Sequence, residues 1–168
     1  MAKKEIPQKK IDTYFNYFTA NTPTQTSRFI QGFCAFCIYF AIIGLSWNIP
    51  FPHFGFLGQY NSYFNWASFI IAFTIYYYTK LSPFMSYLML FLTLLFTYII
   101  SLLQTQHSGD NLFLAQIYFL ILFACGMIRY ITYKMNGKNS TLKMEFLFIM
   151  LGPGWIFHFF LNKFSVKY

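Results

Sequence analysis

The residues best equipped for metal or redox chemistry are three histidines and three cysteines. His53 and His107 fall in polar connections, and Asp110 follows His107 by one short step. Together they offer two imidazoles and a carboxylate. An iron or zinc site needs at least three protein ligands gathered in one pocket. The loop composition around these three predicts exposed side chains rather than a site. His158 lies in an apolar stretch and is expected to be a buried, neutral imidazole with one hydrogen bond. Cys34 and Cys37 have CxxC spacing inside an apolar run. A zinc site of that type calls for a second pair, and Cys125 stands alone, so packed thiols are expected. No Ser-His-Asp or Cys-His arrangement, phosphate-binding loop or dinucleotide fingerprint occurs in the sequence.

The surroundings of these residues are strongly apolar. Hydrophobic residues make up 57% of the chain and charged residues 10%. Soluble domains carry about 25% charged residues, so a water-exposed surface is not available here. The 24 Phe and 14 Tyr suit lipid contact and aromatic belts near headgroups. The net charge is +8, from 12 Lys and Arg against 4 Asp and Glu. A basic chain invites a nucleic-acid reading, but these cations flank apolar runs instead of lining one polar face. Anionic lipid headgroups are the expected partners, and no nucleic acid is.

The apolar runs predict an all-α, integral membrane helical bundle in a single domain, 1–168. Residues 1–10 read as a basic tail, unlike a secretory leader. Residues 11–18 mix aromatics with polar groups and predict an interfacial N-terminal helix. A polar turn surrounds Pro23. Four transmembrane helices are expected at 29–47, 63–78, 84–103 and 112–128, the last stopping at Arg129. Nineteen helical residues cover about 28 Å, close to the roughly 30 Å hydrocarbon core. The Tyr cluster ending the second span is expected at headgroup depth. Residues 129–144 read as a basic loop. The apolar C-terminal segment, 146–161, contains Gly152-Pro153-Gly154, which predicts a kinked or re-entrant course.

Cations alternate with the spans: Lys3, Lys4, Lys9, Lys10 and Arg28 before the first, Lys80 after the second, and Arg129, Lys134, Lys138 and Lys143 after the fourth. The positive-inside rule then puts the N-terminus on the cytosolic side, or the matrix side in a mitochondrion. The expected location is an intracellular membrane, either the mitochondrial inner membrane or the endoplasmic reticulum. Arg28, Arg129, Lys134, Lys138 and Lys143 are the candidate lipid-headgroup contacts. Arg129 abuts a span, so it is expected to snorkel to the interface or meet a phosphate. Gln31 and Gln116 lie in spans, where interhelical hydrogen bonds are expected.

Several stretches resemble a known family. Tyr17-Phe18-Thr19-Ala20-Asn21-Thr22-Pro23-Thr24-Gln25 leads to Ala41-Ile42-Ile43-Gly44-Leu45-Ser46-Trp47-Asn48-Ile49-Pro50. Asn65-Trp66-Ala67-Ser68-Phe69, Tyr77-Tyr78-Thr79-Lys80-Leu81-Ser82-Pro83 and Phe146-Leu147-Phe148-Ile149-Met150-Leu151-Gly152-Pro153-Gly154-Trp155 follow in order. This resembles the membrane 2-hydroxy fatty-acid dioxygenases, the Mpo-like family, over most of 14–163. The resemblance implies a helical membrane body and, in active members, Fe(II) held by histidines. Three of those positions are altered. Ala20 stands where the family has the His of His-x-x-Pro, Phe29 where a second His follows that Pro, and Tyr133 where a third closes Gln-Phe-x-Gly-His. Methyl and phenyl groups cannot ligate iron, and one phenol will not hold Fe(II) alone. The expectation is therefore a non-catalytic pseudoenzyme without cofactor, a scaffold or accessory subunit beside other membrane subunits. The alternative is an Fe(II)-dependent 2-hydroxy fatty-acid dioxygenase of fatty-acid α-oxidation with rearranged ligands. A carrier or channel is the third reading, and no ionisable residue sits mid-span to support it.

Overall fold

A computed structural model describes residues 10–52, 55, 58, 64–107, 111–137 and 142–163, without the side chains of 10, 142–144, 162 and 163. The described chain is all-helical: α1 (Lys10–Asn21), α2 (Gln25–Asn48), α3 (Trp66–Leu81), α4 (Pro83–Gln106), α5 (Asn111–Met135) and α6 (Leu142–Lys163). Residues 1–9 of the basic tail lie outside the description.

Local chemistry sets the helix starts. The Thr24 hydroxyl accepts the Ser27 N–H at 3.2 Å and opens α2. The Asn65 carboxamide oxygen does the same for Ser68 at 2.9 Å and opens α3. Each satisfies one of the orphan donors of a first turn. Ser82 alone separates α3 from α4, and Pro83 takes the first position of α4, where its missing donor costs nothing.

Among the described residues, three helices are long and apolar enough to cross a membrane: α2, α4 and α5. They enclose the expected spans 29–47, 84–103 and 112–128. The expected span 63–78 corresponds to α3, whose 16 residues cover about 24 Å and fall short of that class. Its first residue, 63, lies outside the description. The apolar part of α6, Glu145–Leu161, is shorter than a full span as well. Membrane association follows from composition and helix length.

Helix α2 is the hub, packing chiefly on α5 and α6 and also on α3 and α4. Small residues bring the backbones close. A Cβ on Gly44 would meet the Tyr118 ring at 2.6 Å, and one on Gly152 would meet Ala35 Cβ at 2.8 Å. The core between the helices is aromatic: Tyr39, Tyr78, Tyr118, Phe15, Phe18, Phe148 and Trp155 are all fully enclosed.

Four segments depart from the expectations or add to them. First, α5 does not stop at Arg129 but continues to Met135. Arg and Lys are good helix formers, and Arg129 has partners inside the bundle. Residues 129–135 of the expected basic loop are thus helical. Second, the apolar stripe of the N-terminal helix packs on the bundle. Ile11, Phe15 and Phe18 are buried against α6. Phe18 meets Phe148 and Trp155 edge-on at 5.3 and 6.1 Å, and the Trp155 indole N–H donates to the Thr19 hydroxyl at 3.1 Å.

Third, Gly152-Pro153-Gly154 lies inside one helix, α6. Pro153 cannot donate to the Ile149 carbonyl, and its ring crowds that turn. The Tyr78 hydroxyl, reaching across from α3, donates to the Met150 carbonyl at 3.1 Å and accepts the Gly154 N–H at 3.2 Å. Residues 150 and 154 are one turn apart, so one hydroxyl stitches the loosened turn. Position 154 must be glycine, because a Cβ would meet Tyr78 Cε1 at 2.7 Å. Fourth, Tyr78 is consequently enclosed by protein; of its cluster only Tyr76 is exposed.

Tyr78→Phe removes that bridge without changing the ring. We expect a stability loss of about 1–3 kcal/mol, the cost of leaving buried polar groups without partners. Chemical unfolding in detergent micelles measures it, and an unchanged midpoint contradicts the stitch.

Candidate functional site

The electrostatic centre of the described chain is Arg129. Its side chain is 3% exposed. Three helices supply its surroundings: Gln31 from an early turn of α2, Glu145 from the first turn of α6, and α5 itself. Nη1 donates to Gln31 Oε1 at 2.7 Å, and Nη2 donates to Glu145 Oε2 at 2.6 Å. Both lengths are those of charge-assisted bonds. The guanidinium carbon stands 3.3 Å from the Phe148 ring centroid and 5.3 Å from that of Tyr133. Ring faces are negative, so they add to the attraction.

This geometry follows from the helices. Arg129 lies on the α5 face that carries Cys125 and Tyr133, which are four residues away on either side and buried like it. Glu145 suits its place because a carboxylate is favoured near a helix N-terminus. Its side chain is 35% exposed, so the pair closes at the rim of the bundle. The Gln31 amide nitrogen is enclosed without a hydrogen-bond partner. The arrangement clamps α2, α5 and α6 at one level.

That placement corrects the expectation for Arg129. The guanidinium does not snorkel outward to a phosphate but turns inward, where a carboxylate, an amide and two rings replace water. The other candidate headgroup contacts differ. Arg28 is half-buried, donates from Nε to the Thr22 carbonyl at 2.9 Å and lies 6.0 Å from the Phe159 ring. Lys134 is exposed. Lys138 and the Lys143 side chain lie outside the described residues. Asn136, just past α5, donates to Ser27 Oγ at 3.3 Å and so joins the α5 end to the α2 start. The opposite end is closed by Gln104 donating to Asn48 at 3.2 Å and Trp66 donating to the Pro50 carbonyl at 3.3 Å. Arg28 and Lys134 therefore share one end, and Lys80, at the far end of α3 from Trp66, joins them.

Among the described residues with metal or redox potential, the three cysteines gather and the histidines stand away from them. His107 caps α4 exposed and stacks on Phe113 at 5.7 Å. His53 and Asp110 lie outside the described residues. His158 is half-buried, 5.0 Å from the Phe15 ring. Cys34, Cys37 and Cys125 are free thiols packed together with Ile38 between α2 and α5, as the apolar context of the CxxC implies. Among the described residues no group of three His, Cys, Asp or Glu is placed to hold a metal ion. Gln31 makes its expected interhelical bond, whereas Gln116 faces outward.

The three positions singled out by the resemblance do not form a ligand set. Ala20 is exposed on α1, Phe29 points outward with 79% exposure, and Tyr133 is buried beneath Arg129. These residues do not fit an iron ion. A fixed guanidinium beside Tyr133 repels a dication, and the other two positions carry no lone pair.

Comparison with protein-family models, with curated proteins and with solved structures finds no match for this chain.

Sequence reading missed Glu145 and Tyr78. The signal for Glu145 was that it is the one acid after residue 110, set at the edge of an apolar run. Arg129→Leu removes the enclosed charge and leaves Glu145, at 35% exposure, open to water, and we expect it to cost about 1–2 kcal/mol. Glu145→Leu leaves the enclosed guanidinium without its carboxylate, and we expect about 3–5 kcal/mol. Unfolding midpoints in micelles rank the two, and the reverse order contradicts the clamp.

Proposed function

We propose that this chain is a non-catalytic membrane protein, a degenerate relative of the Mpo-like dioxygenases that serves as a scaffold or accessory subunit of a larger membrane assembly. The observation that carries this reading is the Arg129 guanidinium lying over Tyr133. At the position that the resemblance assigns to a ligand histidine, the chain has a phenol under a paired cation. A clamp of this kind holds helices in place; it offers no open position for a substrate or oxygen.

In this reading four helices cross the bilayer. Helix α3 joins α2, α4 and α5, with Tyr76 and Lys80 at its interfacial end, where the Lys80 ammonium lies 5.4 Å from the Tyr76 ring. Lipids with anionic headgroups meet the end that carries Arg28, Lys80 and Lys134, joined by Lys138 and Lys143. The membrane is the mitochondrial inner membrane or the endoplasmic reticulum, with that end on the matrix or cytosolic side. Broad outward faces of Phe, Leu and Tyr on α4 and α5 suit lipid and neighbouring subunits.

Purification in mild detergent with metal analysis tests the proposal. We expect iron far below one equivalent, and no shortened product when the protein meets 2-hydroxypalmitate and O2. Stoichiometric iron, or an aldehyde or acid one carbon shorter, overturns it in favour of the dioxygenase. Vesicle flotation tests the headgroup contact. We expect Arg28→Gln with Lys134→Gln to weaken binding to phosphatidylserine-containing vesicles, by about 1 kcal/mol for each charge removed.

A further inference from the structure

Helix α5 is the least covered of the three long apolar helices. In its most apolar window 17% of residues are buried, against 56% in α2 and 28% in α4. Its outward stripe forms a groove of about 410 Å³ with Leu45 of α2, walled by Leu112, Phe119, Leu120 and Phe123. In that apolar wall sits one polar side chain, Gln116. It is exposed, and no hydrogen bond is made by its carboxamide among the described residues.

The wall is apolar enough for an acyl chain. The carboxamide is not served by one. It carries two donors and two acceptor lone pairs, and hydrocarbon offers neither. An unsatisfied polar group in lipid costs several kcal/mol. The occupant must therefore bring a hydrogen-bonding group to the level of Gln116. A carboxamide complements another carboxamide, one donating N–H while accepting at oxygen. A two-fold axis beside α5 places the same residue of a second copy opposite, so both amides are satisfied at once. The neighbouring Ala115, also in the groove lining, lets the two backbones approach.

We infer that the α5 groove is a self-association surface, in which a second copy of this chain docks two-fold and pairs Gln116 with Gln116. This rests on the membrane placement argued above but not on the absence of catalysis.

Förster transfer between donor- and acceptor-labelled full-length copies in phosphatidylcholine vesicles tests it, with alkaline carbonate extraction as a companion. Extraction separates the two claims: protein washed off by carbonate defeats the membrane placement, whereas protein retained but monomeric defeats only the dimer. For wild type we expect transfer above random proximity at low protein-to-lipid ratio. Gln116→Leu faces outward and should leave the unfolding midpoint unchanged. It should raise the ratio needed for half-maximal transfer about tenfold, the size of the two interhelical side-chain hydrogen bonds of the reciprocal pair. Ala115→Trp fills the groove and should abolish transfer, while Leu94→Trp, on the outward face of α4, should not. Wild-type transfer no greater than random overturns the inference. So does a Gln116→Leu protein that behaves like wild type, or loss of transfer only in Leu94→Trp. Recovery of a different protein in stoichiometric amount, lost in Gln116→Leu, replaces the second copy with that partner.

Discussion

A guanidinium cannot be left alone in an apolar bundle. Taking Arg129 out of water costs several kcal/mol even after relaxation, and only close, well-aimed partners recover it. Gln31, Glu145 and two aromatic rings do so from three helices. Each partner is useful only at one helix register. Sliding α6 by one residue would swing Glu145 about 100° around its axis. The ion pair thus acts less as a source of net stability than as a register pin, fixing how α2, α5 and α6 stand to one another.

The same constraint, that buried polar atoms need partners, explains the far side of α6. Gly152-Pro153-Gly154 is a weak point in a helix, yet it is helical here. The weak point is also what makes room. Without a side chain at 154 the Tyr78 ring can press against the backbone, and its hydroxyl can serve both 150 and 154. Helix α3 is thereby tied to α6, as α5 is tied through Arg129. Helix α1 then closes over the same part of α6, with Phe18 and Thr19 set around Trp155. Helix α6 is where α1, α2, α3 and α5 all meet polar or aromatic partners.

This inward use of polarity bears on function. The side chains that most resemble chemical equipment are spent on one another: the arginine on a glutamate, the tyrosine on a helix defect, the thiols on a seam. The outer surface is left to apolar and aromatic residues on α4 and α5, with cations at one end. The scaffold proposal draws on that arrangement, as does the proposed docking face along α5.

Much of the architecture was legible in the sequence. Runs without charge give helices and the long apolar class directly, because length and composition decide those locally. The alternation of Lys and Arg with the runs places Arg28, Lys80 and Lys134 at one end for the same reason. Pro83, Thr24 and Asn65 mark their helix boundaries through backbone chemistry that needs no neighbours. Where the sequence misled, the cause was a contact with a distant element. Arg129 reads as a helix stop until Gln31 and Glu145 are beside it. Pro153 reads as a break until Tyr78 arrives from 75 residues away along the chain. The face of Ile11, Phe15 and Phe18 reads as lipid-bound until α6 covers it. Local sequence thus determined what each segment is. Only the tertiary structure decided which way its polar groups turn, because the cost of a buried charge or an unpaired amide is settled by partners that no local pattern names.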